Sequence, residues 1–197
     1  MVWALRYPAV EAAWERPSVL EDQPVSGLVG HLARGAVWAV GDYLDAGEPA
    51  GPVTFASAGE YFATVAGRAT QDDHRLVRER GAAVASVGRE ALLATLEARL
   101  AALGPRLAGL PGDRLVTVIG GTVMRLDDYL ATRIVEQVVH LDDLTRSVGV
   151  EAWPLPEESR RLAVEVGVDI ARRRHGDGPL IRALYRRGFA DGALPVL

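Results

Sequence analysis

Residues 126–144, LDDYLATRIVEQVVHLDDL, constrain the fold more than any other stretch. Leu126, Leu130, Ile134, Val138 and Leu141 recur at three- and four-residue spacing, which predicts one long helix with an apolar flank. Val135 and Val139 form the other flank. Between them runs a polar seam: at roughly 100° per residue, Glu136 and His140 project about 40° apart, with Tyr129 and Arg133 close by and Asp143 at the edge. A carboxylate, an imidazole and a guanidinium set between apolar stripes are costly to desolvate unless a charge or a hydrogen bond answers them. A metal ion is one such answer, because imidazole and carboxylate at i, i+4 can reach a single ion. The alternative is a solvated or simply hydrogen-bonded pair, and a metal site needs a third ligand from elsewhere.

The 197 residues suffice for one ordinary domain with a full core. Hydrophobic residues make up 49% and charged residues 24%, which is a globular balance. A net charge of -4 and a pI near 5.6 argue against nucleic acid or anionic membrane as partners. No apolar run approaches the roughly 20 residues a spanning helix needs. The opening MVWALRYPAVEAAWERP has no basic start followed by an apolar block, so no signal peptide is expected and the expected location is cytoplasmic. Cysteine is absent, which leaves His and carboxylates as metal anchors and removes any cysteine nucleophile. All 22 basic residues are Arg, and Asn is absent too, the bias of a high-GC genome such as an actinobacterial one.

Along the chain, a short helix is predicted around residues 9–15. From Ser26, the predicted cap, a helix runs to Gly47 and Pro49 on the spacing of Leu28, Leu32, Ala36, Ala39 and Tyr43. His31 lies in it, facing inward or towards a cleft, with small Gly35 beside it. Ser57 to Glu60 has the Ser-x-x-Glu form of a capping box. The polar GRATQDDHRLVRERG reads as a loop with a short helical piece. Residues 86–103 form an amphipathic helix with Leu92, Leu96, Leu100 and Leu103 inward, closed by Pro105 and Pro111-Gly112. Residues 114–119 look extended, with Gly120-Gly121 a break before the long helix. A last helix spans residues 156–175, ended by Gly176, and the tail adds one more short helix. These elements predict an all-α antiparallel four-helix bundle with an additional C-terminal helix. Residues 1–150 make the bundle and 151–197 an extension packed on it, one domain overall.

GLVGHLA around His31, followed much later by RIVEQVVHLDDL, resembles the DinB-like metal-binding superfamily. Within it the pair is similar to the mycothiol-dependent maleylpyruvate isomerase N-terminal domain family. The resemblance covers roughly residues 15–150 and implies a divalent metal, zinc first with nickel or iron as alternatives, held by His31, Glu136 and His140. Two departures stand out. Pro24-Val25-Ser26 replaces a Trp-Thr pair usual before the first helix, and only about fifty residues remain where larger members carry a second domain.

Three protein ligands leave a coordination position open, the mark of a catalytic site. The resemblance implies mycothiol as cofactor, with the metal favouring its thiolate. The expected function is isomerisation of, or S-transfer to, a small electrophile. The alternative is a non-catalytic metal-binding module, and a third possibility is a metal-free cluster of the three side chains. Arg133 and Asp143 are candidate supporting residues, against ordinary helix salt bridges. Arg182 and Arg186 are candidates for gripping a cofactor carboxylate. His74 with Asp72 and Asp73 reads as a solvated cluster, and His175 as a complement to a helix C-terminus. Tyr129 and Trp38 read as core or pocket lining. Partners reduce to the thiol and the electrophile, with a monomer or homodimer expected.

Overall fold

A computed structural model describes residues 1–65, 68–151 and 154–188. The chain is mainly helical, with one two-stranded sheet among the described residues. Two short helices, α1 (Val2–Leu5) and α2 (Pro8–Ala12), open it. α3 (Val25–Ala33) then continues through a π-helical stretch, Arg34–Trp38, into α4 (Ala39–Asp45). After α5 (Ala58–Val65) come α6 (Gln71–Ala85) and α7 (Arg89–Ala108). The antiparallel hairpin β1 (Leu115–Val118) and β2 (Thr122–Arg125) leads straight into α8 (Leu126–Val148), followed by α9 (Glu157–His175) and α10 (Asp177–Tyr185).

The core is aliphatic. Leu28 and Leu32 of α3, Leu92 and Leu96 of α7, Leu141 and Leu144 of α8 and Ile170 of α9 are all essentially sealed from solvent. α3 packs on α6 and α8, while α5 and α8 both pack on α9. At the α3–α6 crossing, Gly30 meets the Gly81 backbone so closely that a Cβ on Gly30 would overlap the Gly81 carbonyl oxygen. Glycine is required on both sides, since a Cβ on Gly81 would lie 2.8 Å from the Gly27 carbonyl oxygen and 3.0 Å from the His31 nitrogen.

Several expectations are met. α8 begins at Leu126 as expected, with Asp127 and Asp128 in its first turn complementing the helix dipole, and runs past Leu144 to Val148, where Gly149 caps it. α9 carries Glu157 and Glu158 at its start and Arg172, Arg173, Arg174 and His175 at its end, before Gly176, as the dipole favours. Ser57 Oγ accepts the Glu60 N–H at 3.1 Å, at the head of α5.

Others are corrected. Gly120-Gly121 is not a mere break: both glycines have positive φ (73° and 74°) and turn β1 back into β2, pairing Val118 with Thr122 and Leu115 with Arg125. The all-α expectation missed β2 because TVMR is too short to show alternation. This hairpin also fixes the start of α8, through Leu126 N–H to the Arg114 carbonyl (2.7 Å) and Asp127 N–H to the Gly112 carbonyl (3.0 Å). Ser26 does not cap α3. Pro24 occupies the cap position and Ser26 is buried inside the first turn. The polar stretch after residue 68 holds a full helix, α6, because Thr70 and Asp73 form a reciprocal capping box. α7 starts after Gly88 and runs through Pro105, where the exposed last turns can give the freed carbonyl to water. Leu100 is 39% exposed while Leu92, Leu96 and Leu103 are buried, so its inward assignment fails. The expectations for residues 152–153 and 189–197 lie outside the described residues.

Candidate metal centre

His31 stands in the last turn of α3, and Glu136 and His140 stand one turn apart on α8. The packing of α3 on α8 brings them together. His31 Nε2 lies 3.4 Å from Glu136 Oε2, and His140 Nε2 lies 3.5 Å from the same oxygen. The two imidazoles meet edge to face, with centroids 5.0 Å apart. The three donor atoms all lie within 4.8 Å of one another, the one such His/Cys/Asp/Glu group among the described residues.

These separations are compatible with a shared ion. N–H···O hydrogen bonds favour roughly 2.7–3.2 Å, so 3.4 and 3.5 Å are long for a self-satisfied cluster. Donors sharing one tetrahedral ion at bonds of about 2.0–2.1 Å sit roughly 3.4 Å apart, which the two observed edges match. Side-chain exposures of 21%, 24% and 23% leave the group reachable from solvent. The donor set therefore fits a divalent cation with an open face.

The surroundings tune the donors. His140 Nδ1 donates to Asp143 Oδ2 at 2.9 Å, which turns Nε2 towards Glu136. Burial disfavours the His140 cation, but Asp143 and Glu136 outweigh it and raise its pKa to about 9. Burial likewise works against the Glu136 carboxylate. The imidazoles of His140 and His31 and the Arg133 guanidinium more than offset it and hold it well below the ordinary carboxylate range. Burial pushes the Tyr61 and Tyr129 phenols up despite the nearby Arg133 charge, so both are neutral O–H groups beside the site.

Arg133 is placed by its neighbours. Its Nε donates to Thr132 Oγ1 (2.9 Å), which in turn donates to the Tyr129 carbonyl (2.6 Å). The guanidinium lies 5.1 Å from the Tyr129 ring centroid. Gly35 neighbours Arg133 rather than His31, and a Cβ there would make only an ordinary contact, 3.6 Å from Arg133 Nη1.

Arg182 and Arg186 are not drawn into this cluster. They are exposed residues at the end of α10, which packs on α9, and Arg186 bonds the adjacent Tyr185 carbonyl (3.0 Å). His74 is exposed, Asp73 caps α6 and Asp72 pairs with Arg75 at 3.3 Å, so the acids beside His74 serve the helix. Tyr129 is core, 3% exposed, and Trp38 lines a cavity.

Sequence reasoning missed Gln137. Its Nε2 donates to the Leu32 carbonyl at 3.0 Å, tying the residue after Glu136 to the residue after His31. That carbonyl lies beside the π-helical stretch, where the Ala39 N–H reaches back five residues to the Arg34 carbonyl. Such π-bulges occur often at functional sites. Nothing in the local pattern of α8 marks Gln137, because its partner lies on another helix.

A mainly helical protein with a solvent-reachable His–Glu–His cluster belongs with the metal-binding helical proteins of the DinB-like superfamily. The chain is a member of the mycothiol maleylpyruvate isomerase N-terminal domain family, whose model matches residues 2–145. No curated protein and no solved structure matches it. No helix among the described residues is long and apolar enough to cross a membrane.

Proposed function

We propose that the protein is a metal-dependent enzyme that uses a low-molecular-weight thiol, mycothiol, against a small electrophile, on a DinB-like four-helix bundle extended by α9 and α10. The reading rests chiefly on the convergence of His31 Nε2, Glu136 Oε2 and His140 Nε2 at ion-sharing distances with solvent access. His31, Glu136 and His140 would hold the ion, with zinc ahead of nickel or iron for such N/O donors. A divalent ion there supplies the positive charge that favours thiolate over thiol at neutral pH.

The protein's own groups set the rest. Asp143 fixes the His140 ring and tautomer. Arg133, with Nε anchored on Thr132, keeps its terminal nitrogens for an anionic group of the electrophile. The neutral phenols of Tyr61 and Tyr129 supply apolar walls with O–H donors nearby. Such a pocket serves isomerisation, in which the thiolate adds to a conjugated double bond and leaves after rotation, and equally S-transfer, in which it stays attached. Arg182 and Arg186, exposed on and just after α10, are proposed contacts for a carboxylate of the cofactor.

Metal analysis of the purified protein and of His31→Ala is the first test. Near-stoichiometric metal in the former and its loss in the latter are expected; metal in neither overturns the reading. The metal-loaded protein should then melt higher with mycothiol than with glutathione, since a ligand stabilises the state that binds it. Metal binding with no response to either thiol would favour a non-catalytic binding module.

A further inference from the structure

A cavity of about 400 Å³ opens between the π-helical stretch, α6 and α7, lined among others by Arg34, Trp38, Arg80, Val84, Val87 and Leu92. None of its lining residues belongs to the His31–Glu136–His140 cluster. Its volume lies within the roughly 300–1,000 Å³ of small-molecule sites.

The charges in it are unanswered. On the flanking helices Arg75 pairs with Asp72 and Glu79, and Arg89 with Glu11. Neither Arg34 nor Arg80 has a carboxylate or carbonyl partner among the described residues, although the chain carries 26 acidic groups against 22 basic ones. Arg34 is half-buried and Arg80 exposed, so their guanidinium N–H groups are left to water and free to meet an incoming acceptor. A third guanidinium, that of Arg99, lies 4.7 Å from the Trp38 ring centroid and adds to the positive potential. Of the remaining walls, Trp38, Ala83, Val84, Val87 and Leu92 are apolar, and the Thr95 hydroxyl donates to the Ala91 carbonyl of its own helix (2.8 Å).

We infer that this cavity binds a small carboxylate with an apolar body, its charge gripped by Arg34 and Arg80 and its hydrocarbon laid against Trp38, Val84 and Leu92. Two guanidinium forks suit a carboxylate, which accepts paired N–H bonds. A bare inorganic anion would leave the apolar walls wet, and a neutral hydrocarbon would leave both cations unanswered.

Calorimetric titration of the full chain with 2-naphthoate, 2-naphthamide and inorganic phosphate tests this. Saturable naphthoate binding with Kd below about 1 mM is expected. Naphthamide and phosphate should each bind at least about tenfold more weakly, the loss that goes with one charge-assisted hydrogen bond. Arg80→Gln, on the exposed side of α6, and Arg34→Gln should each weaken naphthoate by about tenfold. His31→Ala should leave it unchanged, which separates this cavity from carboxylate bound at a metal. Equal binding of naphthoate and naphthamide, phosphate as tight as naphthoate, or indifference to Arg80→Gln in a protein with unaltered melting would overturn the inference.

Discussion

Asp143 acts on the site through one hydrogen bond, 2.9 Å to His140 Nδ1. Removing the carboxylate charge with Asp143→Asn should weaken metal binding roughly 10–100-fold, the usual effect of losing an outer partner of a ligand imidazole. Equilibrium competition with a chelator measures it, and an unchanged affinity would reduce Asp143 to a helix salt bridge. The same residues impose a sign on pH dependence. In the metal-free protein His140 titrates near 9, against an ordinary 6.5. Its contribution to stability is therefore complete below 6.5 and lost as pH rises through about 9. Glu136, depressed, contributes above the ordinary carboxylate range, and its contribution is lost on acidification. Metal must displace the His140 proton, so affinity should rise about tenfold per pH unit on approaching 9. Between pH 6.5 and 9 the melting temperature of the metal-free protein should fall while that of the metal-loaded protein stays level, the gain in metal affinity offsetting the loss. Parallel slopes in the two forms would contradict the assignment.

At the scale of elements, two contacts hold α3 in register with its neighbours, one towards α8 and one towards α6. Gln137 clamps α8 to the Leu32 carbonyl, next to both ligand positions. Gln137→Leu should lower stability by about 1 kcal/mol, an ordinary hydrogen-bond loss. It should also distort the visible spectrum of the cobalt-substituted protein, because the two ligand-bearing helices can then slide; a stability loss with an unaltered spectrum would leave Gln137 a structural bond only. On the other side of α3, the Gly30–Gly81 crossing lets α6 press directly on the His31 backbone. Gly81→Ala should destabilise the protein by about 1–3 kcal/mol through overpacking. Its chemical melt, set beside that of Gly104→Ala, where a Cβ meets nothing within 4 Å, isolates the crowding.

For the molecule as a whole, the family match ends at residue 145, yet the core does not. α9 contributes Ile170 and Val166 to the same hydrophobic cluster as Leu28, Leu96 and Leu144, and packs on α5 and α8. Arg174 reaches the Phe62 carbonyl of α5 (3.2 Å). A chain cut after residue 150 would expose those faces of α5 and α8. It should lose cooperative thermal unfolding and elute as aggregate in size-exclusion chromatography; a monomeric, sharply melting fragment would show that α9 is an independent addition.

The sequence by itself determined the helices that carry strong local signals. The start of α8 follows from apolar spacing and the span of α9 from its pattern and the closing Gly176, all read within a few residues of each other. It also marked Glu136 and His140 as one unit, because a four-residue step puts them on one face whatever the helix packs against. Gly120-Gly121 gave no such certainty, since a turn and a break look alike until β2 is seen to pair with β1. Leu100 kept the right spacing but no neighbour came to cover it, and Thr70 made a helix of a stretch too polar to announce one. That His31 meets Glu136 and that Gln137 holds the Leu32 carbonyl follow from the packed structure alone. Those relations join residues distant in the chain, and distance across a packed interface is set by how whole helices bury their faces rather than by any pattern along one of them.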